Sequence, residues 1–151
     1  MKINLLHILR TTVLLVWSCS FLWGQDHIQF KNYTISDGLS QSVVNCIVQD
    51  NLSAMWLGTQ DGINRFNGKS FEVFSAESGF DVSNEYVLSV AKDTKGDIWF
   101  GTYDGLVHYE PQLEKFTSHT LPGNKRIEVR SIAFDAQGNV WVGAAFGNIF
   151  V

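Results

Sequence analysis

The 151-residue sequence predicts an all-β protein built from a repeated four-stranded unit, and three observations support this. An Asp followed six residues later by Trp and then by x-Gly recurs at Asp50, Asp93 and Asp135, so the Trp residues lie 43 and 42 residues apart. Aromatic residues make up 13% of the chain, while Gly numbers 13 and Pro only 2. No long amphipathic helical period follows residue 24. A repeat of this length is typical of β-propeller blades, and about two and a half blades of an incomplete propeller are expected.

Each unit divides into short strands, named a to d in chain order and separated by turn residues. The predicted strands are 43–49, 54–59, 63–66 and 70–74 in unit 1; 86–92, 97–102, 106–109 and 114–118 in unit 2; and 128–134, 139–144 and a short piece at 148–151 in unit 3. Strand a carries apolar or small residues at nearly every position, as at Val87, Ser89 and Val90. Such a strand is expected to be covered on both faces, as when blades stack against one another.

The turns between strands have sequences suited to tight reversals. Asp61-Gly62 and Asp104-Gly105 are expected to form the b–c hairpins, and Asn67-Gly68 the c–d hairpin of unit 1. These dipeptides tolerate positive φ at both central positions of a hairpin turn. Unit 2 has Pro111 in its c–d connection instead, where it sets a turn and cannot lie within a sheet ladder.

The a–b turns share the pattern Asp-x-x-Gly, which places a left-handed residue at Gly96 and Gly138. Ser53 stands at that position in unit 1. A serine in the left-handed region is strained, so this turn is predicted to be a local defect. The recurring Asp of each turn is expected to accept hydrogen bonds from nearby backbone amides.

The first 24 residues form a different kind of segment. Lys2 and Arg10 give it a positive start, the 13-residue run TTVLLVWSCSFLW is apolar, and Gly24-Gln25 follows. This length suits an export signal better than a membrane span, so a signal peptide at 1–24 and a mature N-terminus at Gln25 are predicted. Lipidation at Cys19 and retention of the segment as an anchor are the alternatives. Mass spectrometry of the exported chain distinguishes the three.

Charge and cysteine content limit the partners. Without residues 1–24 the chain has nine Lys plus Arg against fifteen Asp plus Glu, a formal charge of −6. Nucleic-acid binding would need a basic stripe and is therefore not expected. Only Cys46 remains, so no intrachain disulfide is possible. Units 2 and 3 have Ser at the equivalent position, which favours a small packed residue over a reactive thiol.

The run GLSQSVVNCIVQDNLSAMWLGTQDGINRFNGKSFEVF at 38–74, together with the two later units, resembles the two-component regulator propeller repeat. Its most specific features are the Gly-Leu-Ser start at 38–40 and the Trp-x-Gly-Thr cores at Trp56–Thr59 and Trp99–Thr102. The resemblance covers residues 28–151. Unit 3 departs from it with Ala144 in place of Thr and Phe146 in place of Asp, which leaves its b–c turn less certain.

The resemblance implies the exported, periplasmic sensor region of a Bacteroidetes hybrid two-component histidine kinase. Proteins of this type are long, with two propellers, a β-sandwich, a membrane helix, and kinase and receiver modules, often with a DNA-binding domain. The 151 residues contain none of those later modules. The parent is expected to be a homodimer anchored in the inner membrane, and this chain is expected to have no catalytic activity of its own.

The domain boundaries follow from the repeat. Blade 1 is placed at 43–80, blade 2 at 81–123 and a partial blade 3 at 124–151. Residues 25–42 contain FKNYTISDGLS, which is similar to strand d of unit 1 with its exit loop. Because propellers close when the first strand completes the last blade, this segment is predicted to pair with a last blade outside the sequence.

The predicted function is recognition of an oligosaccharide or similar extracellular cue, at loops where the d–a and b–c connections meet. The candidate ligand-binding residues on those loops are Ser40, Gln41, Gln60, Asp61, Asn84, Glu85, Tyr103 and Asp104. No cofactor, metal or catalytic residues are predicted, since His27, His108 and His119 lack the spacing of metal ligands. The three repeated Trp residues are interpreted as packing between blades.

The alternative function is the N-terminal part of a propeller-type, glycan-active extracellular enzyme with catalytic blades beyond Val151. In either case, the isolated chain is not expected to be a stable monomer. Trp141 and Val142 would face water on the open side of the last blade, beside an unpaired strand edge after residue 144.

Overall fold

The computed structural model describes residues 28–76, 85–123 and 126–151. The predicted signal peptide therefore lies outside the described residues. The chain divides into two units, Met1–Asn32 and Tyr33–Val151, and the strands given below belong to the second. No helix in the described part of the chain has the length and apolar character needed to cross a membrane.

Three antiparallel sheets follow one another along the chain, and each corresponds to one repeat. Sheet 1 contains β1 (Val44–Gln49), β2 (Met55–Thr59), β3 (Gly62–Phe66) and β4 (Phe71–Phe74). Sheet 2 contains β5 (Val87–Lys92), β6 (Ile98–Thr102), β7 (Gly105–Glu110) and β8 (Lys115–His119), and sheet 3 contains β9 (Val129–Phe134), β10 (Val140–Ala144) and β11 (Ile149–Phe150). Neighbours in sequence pair in every sheet, so the predicted meanders and the all-β propeller fold are confirmed.

Residues 28–34 form no strand, and a 3₁₀ turn follows at Ile35–Asp37. Pairing of this segment with a last blade therefore stays a prediction. Tyr33 packs against Phe66 and Phe71 of sheet 1, with ring centroids 4.8 and 5.7 Å apart.

The main hydrophobic core lies between sheets 1 and 2, and Trp56 is its largest buried side chain. Trp56 is 0% exposed, and its ring lies 4.6 Å from Tyr109 and 6.0 Å from Phe100, both in sheet 2. It also stacks on Phe74 of its own sheet at 5.6 Å. Aromatic burial of this extent dominates core energetics, and the interpretation of Trp56 as a contact between blades is correct.

The Gly two residues after each Trp allows the backbone of one sheet to approach the next. A Cβ on Gly58 would lie 2.4 Å from Cγ1 of Val87 in sheet 2, and one on Gly101 would lie 2.5 Å from Cγ1 of Val129 in sheet 3. Both distances are too short for a real contact, so only Gly fits. Strand a of each following blade thus packs its first Val on the Gly of the blade before it.

The recurring Asp closes the a–b turn and, in two units, also holds the Trp. Asp50 Oδ1 accepts hydrogen bonds from the backbone N–H groups of Leu52 and Ala54, while Oδ2 accepts one from Trp56 Nε1 at 2.8 Å. Asp135 repeats this arrangement with Trp141 at 3.0 Å. The hydrogen bond from Trp141, assisted by those from Asn139 and Gln137, lowers the pKa of Asp135 to about 2. The predicted structural role of these acids is confirmed and extended to the Trp.

Unit 2 holds its Trp in another way. Trp99 Nε1 is a buried polar atom for which the described residues supply no hydrogen-bond partner. The Trp99 ring instead stacks on His108 with centroids 4.0 Å apart, and His108 Nε2 lies 3.2 Å from Oδ2 of Asp97. This pairing explains His108 as a structural residue, in agreement with the sequence interpretation.

The b–c turns differ from the prediction in their backbone. Gly62 and Gly105 have φ of +102° and +94°, but Asp61 and Asp104 are not in the left-handed region. The reason is the Thr that ends strand b: Thr59 Oγ1 accepts a hydrogen bond from Asp61 N at 3.1 Å and donates to the Gly62 carbonyl at 3.0 Å. Thr102 does the same in unit 2. In these two turns the Asp residues therefore avoid positive φ, and the Gly residues take it.

The c–d turn of unit 1 and the b–c turn of unit 3 also differ from the pattern of two left-handed residues. In the c–d turn only Gly68 has positive φ, because Asn67 Oδ1 accepts hydrogen bonds from the amides of Lys69 and Ser70. Unit 3 has no hydroxyl at Ala144, and its b–c turn becomes a 3₁₀ turn at Ala145–Gly147 with Phe146 at φ +63°. The b–c turn of unit 3 thus differs in conformation from those of units 1 and 2.

Ser53 has φ +68°, the left-handed conformation predicted from its alignment with Gly96 and Gly138. Ser53→Gly is expected to relieve roughly 1 kcal/mol of backbone strain, offset in part by the greater entropy of Gly in the unfolded chain. The expected net result is a small rise in the urea midpoint. Ser53→Ala is the control, since it removes the hydroxyl and retains the strain. A fall in midpoint for Ser53→Gly equal to that of Ser53→Ala would contradict the prediction.

The outer side of sheet 3 is only partly as predicted. Trp141 is 44% exposed, as expected, but Val142 is 3% exposed and packs with Leu106 and Val129. The expectation for Val142 was wrong because successive side chains of a strand point to opposite faces. The edge of β10 is also paired, since Val142 and Gly143 are in register with Phe150 and Ile149.

Cys46 packs against the core between sheets 1 and 2. Burial raises the pKa of its thiol to about 11. A protonated thiol is a poor nucleophile, which agrees with the predicted packing role.

Candidate ligand-binding face

The candidate residues lie on one edge of the blade stack, formed by the b–c and d–a connections and called here the loop face. Backbone hydrogen bonds join these connections across blades. Gly62 N donates to the carbonyl of Glu85 at 2.8 Å, and Gly105 N donates to that of Ile127 at 3.0 Å. The b–c turns of units 1 and 2 are therefore fixed to the residues just before strand a of the next blade.

Ser40 is held in a buried polar network. Its N–H donates to Asn64 Oδ1 at 2.9 Å, and its Oγ accepts from Asn64 Nδ2 at 2.8 Å. The same Oγ lies 2.9 Å from Thr59 Oγ1. Asn64 is fully buried, and these bonds satisfy its amide. The Gly-Leu-Ser segment is thereby fastened to strands b and c, and Ser40 has a structural role here.

A polar cleft of about 420 Å³ opens beside this network, lined by Ser40, Asp61, Val73, Ser75 and Glu85. Gln41 reaches Asp61 with its Nε2 at 3.4 Å from Oδ2. The Glu85 carboxylate accepts a hydrogen bond from the backbone N–H of Ala76. Four of the predicted residues are thus brought together at one cleft, and its two carboxylates favour neutral polar or cationic ligands over anions.

Two tyrosines form a second group on the loop face. The rings of Tyr86 and Tyr103 stack with centroids 5.8 Å apart, and Tyr103 is 39% exposed. Gln60 Nε2 donates to the Tyr86 hydroxyl at 3.2 Å, and Tyr103 N donates to the Tyr86 carbonyl at 3.0 Å. Gln60 and Tyr103 were predicted, whereas Tyr86 was missed because it was counted as the first residue of a strand. The signal for it was the aromatic residue immediately before Val87.

The remaining predicted residues lie apart from these groups. Asp104 is directed toward the next blade, with Oδ2 3.9 Å from Nε of Arg126. Asn84 lies outside the described residues. In the described part of the chain, no group of three or more His, Cys, Asp or Glu side chains could hold a metal ion. The loop face therefore offers amides, carboxylates and an exposed aromatic ring as its chemistry.

A protein-family model, the two component regulator propeller, matches three segments of the chain. It matches residues 38–61, 81–104 and 121–145, and each of these segments contains strands a and b of one sheet and the first residues after strand b. The chain belongs to the two-component regulator propeller repeat family. Each matched segment of this regulator propeller contains one Trp-x-Gly core and contributes to the loop face.

A curated relative supports the assignment over a short stretch. The regulator propeller is 49% identical over 45 residues to histidine kinase P4 of Formosa agariphila. The match covers 30% of this chain and 3% of that protein. The chain thus spans a very small part of the relative it matches.

Solved structures share the fold. The extracellular domain of a hybrid two-component system from B. thetaiotaomicron superposes with a TM-score of 0.63 at 23% identity, covering 80% of the regulator propeller and 17% of that chain. The extracellular domain of a one-component system from the same organism gives a TM-score of 0.66 at 18% identity, covering 87% and 20%. At these identities the likeness shows the propeller fold alone.

Proposed function

We propose that this chain is the exported, ligand-sensing propeller region of a two-component regulator. The observation that carries the proposal is the presence of three regulator repeats whose connections converge on one loop face. The names of the similar structures, both extracellular domains, support a periplasmic location. A histidine kinase in the same protein, anchored in the inner membrane and working as a homodimer, would receive the signal.

The proposed cue is an oligosaccharide or a similar neutral, polar compound. Proteins bind sugars with an aromatic side chain placed against the apolar face of the sugar ring. Amides and carboxylates form hydrogen bonds with the sugar hydroxyls. The Tyr86–Tyr103 stack supplies the aromatic surface, and Gln60 supplies an amide beside it. Asp61, Gln41 and Glu85 supply hydrogen-bonding groups at the neighbouring cleft. The acidic character of these groups makes a phosphate or nucleic-acid cue unfavourable.

Binding of the exported chain to arrayed neutral oligosaccharides, followed by calorimetric titration of any that bind, tests the cue. Tyr103→Ala is expected to weaken binding roughly tenfold, a loss of about 1.4 kcal/mol. Gln137→Ala, on an exposed a–b turn at the opposite edge of its sheet, is the matched control and should bind as the wild type does. Equal affinity of the Tyr103→Ala variant, or no binding by any chain, would contradict the proposal.

The gene sequence beyond codon 151 separates the sensor from the glycan-active enzyme. The sensor proposal expects a membrane helix followed by a histidine kinase module. Further blades that carry a set of catalytic acids, without any kinase module, would favour the enzyme instead.

A further inference from the structure

The loop face carries a group of three side chains at the junction between sheets 1 and 2, and both of these sheets have all four strands. Gln60 comes from the b–c turn of sheet 1. Tyr86 lies directly before strand a of sheet 2, and Tyr103 lies in the b–c turn of that sheet. Gln60 is exposed and Tyr103 is 39% exposed, whereas Tyr86 is half-buried. Tyr86 is therefore the inner member of the group.

Tyr86 contacts each of the other two residues with a different part of its structure. Its hydroxyl accepts a hydrogen bond from Gln60 Nε2 at 3.2 Å, across the junction between the sheets. Its ring stacks with that of Tyr103, with centroids 5.8 Å apart and 29° between the ring planes. Its carbonyl accepts a hydrogen bond from Tyr103 N at 3.0 Å. Tyr86 thus fixes an amide of one blade relative to an aromatic ring of the next.

The hydrogen bond between Gln60 and Tyr86 is not needed to hold the turn that carries Gln60. The Thr59 hydroxyl already accepts a hydrogen bond from Asp61 N at 3.1 Å and donates one to the Gly62 carbonyl at 3.0 Å. Gly62 N also donates to a backbone carbonyl of the next d–a connection at 2.8 Å. A side-chain hydrogen bond that replaces one with water adds little to stability. What this bond supplies is the orientation of the Gln60 amide.

Comparison of the units shows that the blade fold does not require these side chains. The residue between Thr and Asp of the b–c turn is Gln60 in unit 1 and Tyr103 in unit 2, and both turns have the same hydrogen bonds around Thr. The residue before the first Val of strand a is Val43, Tyr86 and Glu128 in units 1, 2 and 3. Different side chains are therefore compatible with the fold at both positions.

The fixed amide has the chemistry to recognise hydroxyl groups. A Gln side chain has two N–H donors and one carbonyl acceptor. Tyr86 uses one N–H of Gln60, and within the described residues no other hydrogen bond involves this amide. Gln60 therefore offers Oε1 as an acceptor and its second N–H as a donor, beside the exposed ring of Tyr103. Two neighbouring hydroxyls of a sugar supply the complementary donor and acceptor, while the apolar face of the sugar suits the aromatic ring.

We propose that Tyr86 is the positioning residue of the loop-face site, and that Gln60 recognises two neighbouring hydroxyls of a sugar stacked on Tyr103. The inference rests on the proposed function, because it specifies how the same site selects its ligand. Tyr86 acts through the other two residues, since its hydroxyl holds the amide and its ring holds the second tyrosine. A flexible side chain that is already held in its binding orientation does not have to be ordered when the ligand binds, which increases affinity.

The test is a double-mutant cycle in the exported chain, with calorimetric titration of three neutral probes, cellotetraose, xylotetraose and mannotetraose. Tyr86→Phe removes the hydroxyl and keeps the ring, and is expected to raise Kd about fivefold, which corresponds to the ordering of one flexible side chain. Gln60→Ala is expected to raise Kd about tenfold through loss of its hydrogen bonds to the sugar. The double variant should bind as Gln60→Ala does, because the hydroxyl acts only through the amide.

Tyr33→Phe is the matched control, since it also removes one tyrosine hydroxyl. The Tyr33 ring packs against Phe66, at the opposite end of β3 from the b–c turn, so this variant should bind as the wild type does. Circular dichroism of each variant establishes that it is folded.

Nuclear magnetic resonance of the isotope-labelled chain tests the geometry without any sugar. Tyr86→Phe should shift the side-chain amide signals of Gln60, whereas Tyr33→Phe should leave them in place. Gln60 signals that stay unshifted in Tyr86→Phe would overturn the proposal, because the hydroxyl would then not be what orients the amide.

The binding results separate this inference from the proposed function. Unchanged affinity of Tyr86→Phe would overturn the positioning role while sugar binding itself stands. A double variant whose loss equals the product of the two single losses would do the same, since the two groups would then act independently. Absence of wild-type binding to the three probes and to every other neutral oligosaccharide of the array would overturn both the proposed function and this inference.

Discussion

Trp56→Ala is expected to lower the free energy of unfolding by about 4 kcal/mol, the range measured for large aromatic truncations in cores. The indole is fully buried between sheets 1 and 2, and its loss removes contacts with Phe100, Tyr109 and Phe74. It also leaves the Asp50 carboxylate without the donor at 2.8 Å. Urea unfolding monitored by circular dichroism measures the change.

Trp141→Ala is the matched control, because Trp141 has the same place in its repeat and the same hydrogen bond to Asp, but is 44% exposed. The control is expected to cost about 1 kcal/mol, typical of a partly exposed substitution. Equal losses at the two positions would mean that burial between blades is not what Trp56 contributes.

Gly58→Ala is expected to cost about 3 kcal/mol, the upper part of the usual range for overpacking. The added methyl would lie 2.4 Å from Val87 Cγ1 and 2.5 Å from Cys46 Sγ, so the two sheets would have to separate. Gly138→Ala is the control for a Gly-to-Ala change without a steric clash. Within the part of the chain that the structure describes, nothing lies within 4 Å of its added Cβ, and its φ of +86° leaves backbone strain, which costs about 1–2 kcal/mol.

A second substitution separates crowding between sheets from other causes. Val87→Ala removes Cγ1, the nearest of the atoms that the new Cβ would meet, and leaves Cys46 Sγ at 2.5 Å and the Cβ of residue 87 at 2.9 Å. The double variant Gly58→Ala, Val87→Ala should therefore lose less stability than the sum of the two single losses, since contacting residues are not additive. Strict additivity would contradict the proposed clash, whatever the size of the Gly58→Ala effect.

The strands and their order could be predicted from the sequence because each blade is a local meander with one repeated pattern. The position of each Trp and the left-handed Ser53 follow from alignment of the units alone. These features depend on residues close in sequence, or on repetition, and both are visible without coordinates.

Features that depend on contacts between distant residues could not be predicted in the same way. The Thr59 hydroxyl changes the conformation of Asp61, although the turn sequence by itself favours two left-handed residues. Asn64 is buried in a strand because Ser40, distant in sequence, satisfies its amide. At the loop face, Tyr86 was counted as the first residue of a strand, and its ring contact with Tyr103 in the b–c turn is visible only in the fold. Each case needs a partner whose place only the fold determines.

The contact between the Val of one strand a and the Gly of the preceding blade has a consequence for how such proteins can change in length. Both halves of the contact are carried within every repeat, as at Val87 and Gly101 in sheet 2. Duplication or deletion of one whole repeat in the gene would therefore supply or remove a blade together with its own docking surfaces, and no new interface would have to arise. Insertion of a partial repeat would separate the Val from its Gly. Insertion or deletion of whole repeats is thus compatible with the packing between blades, whereas insertion or deletion of part of a 42- or 43-residue repeat would disrupt it.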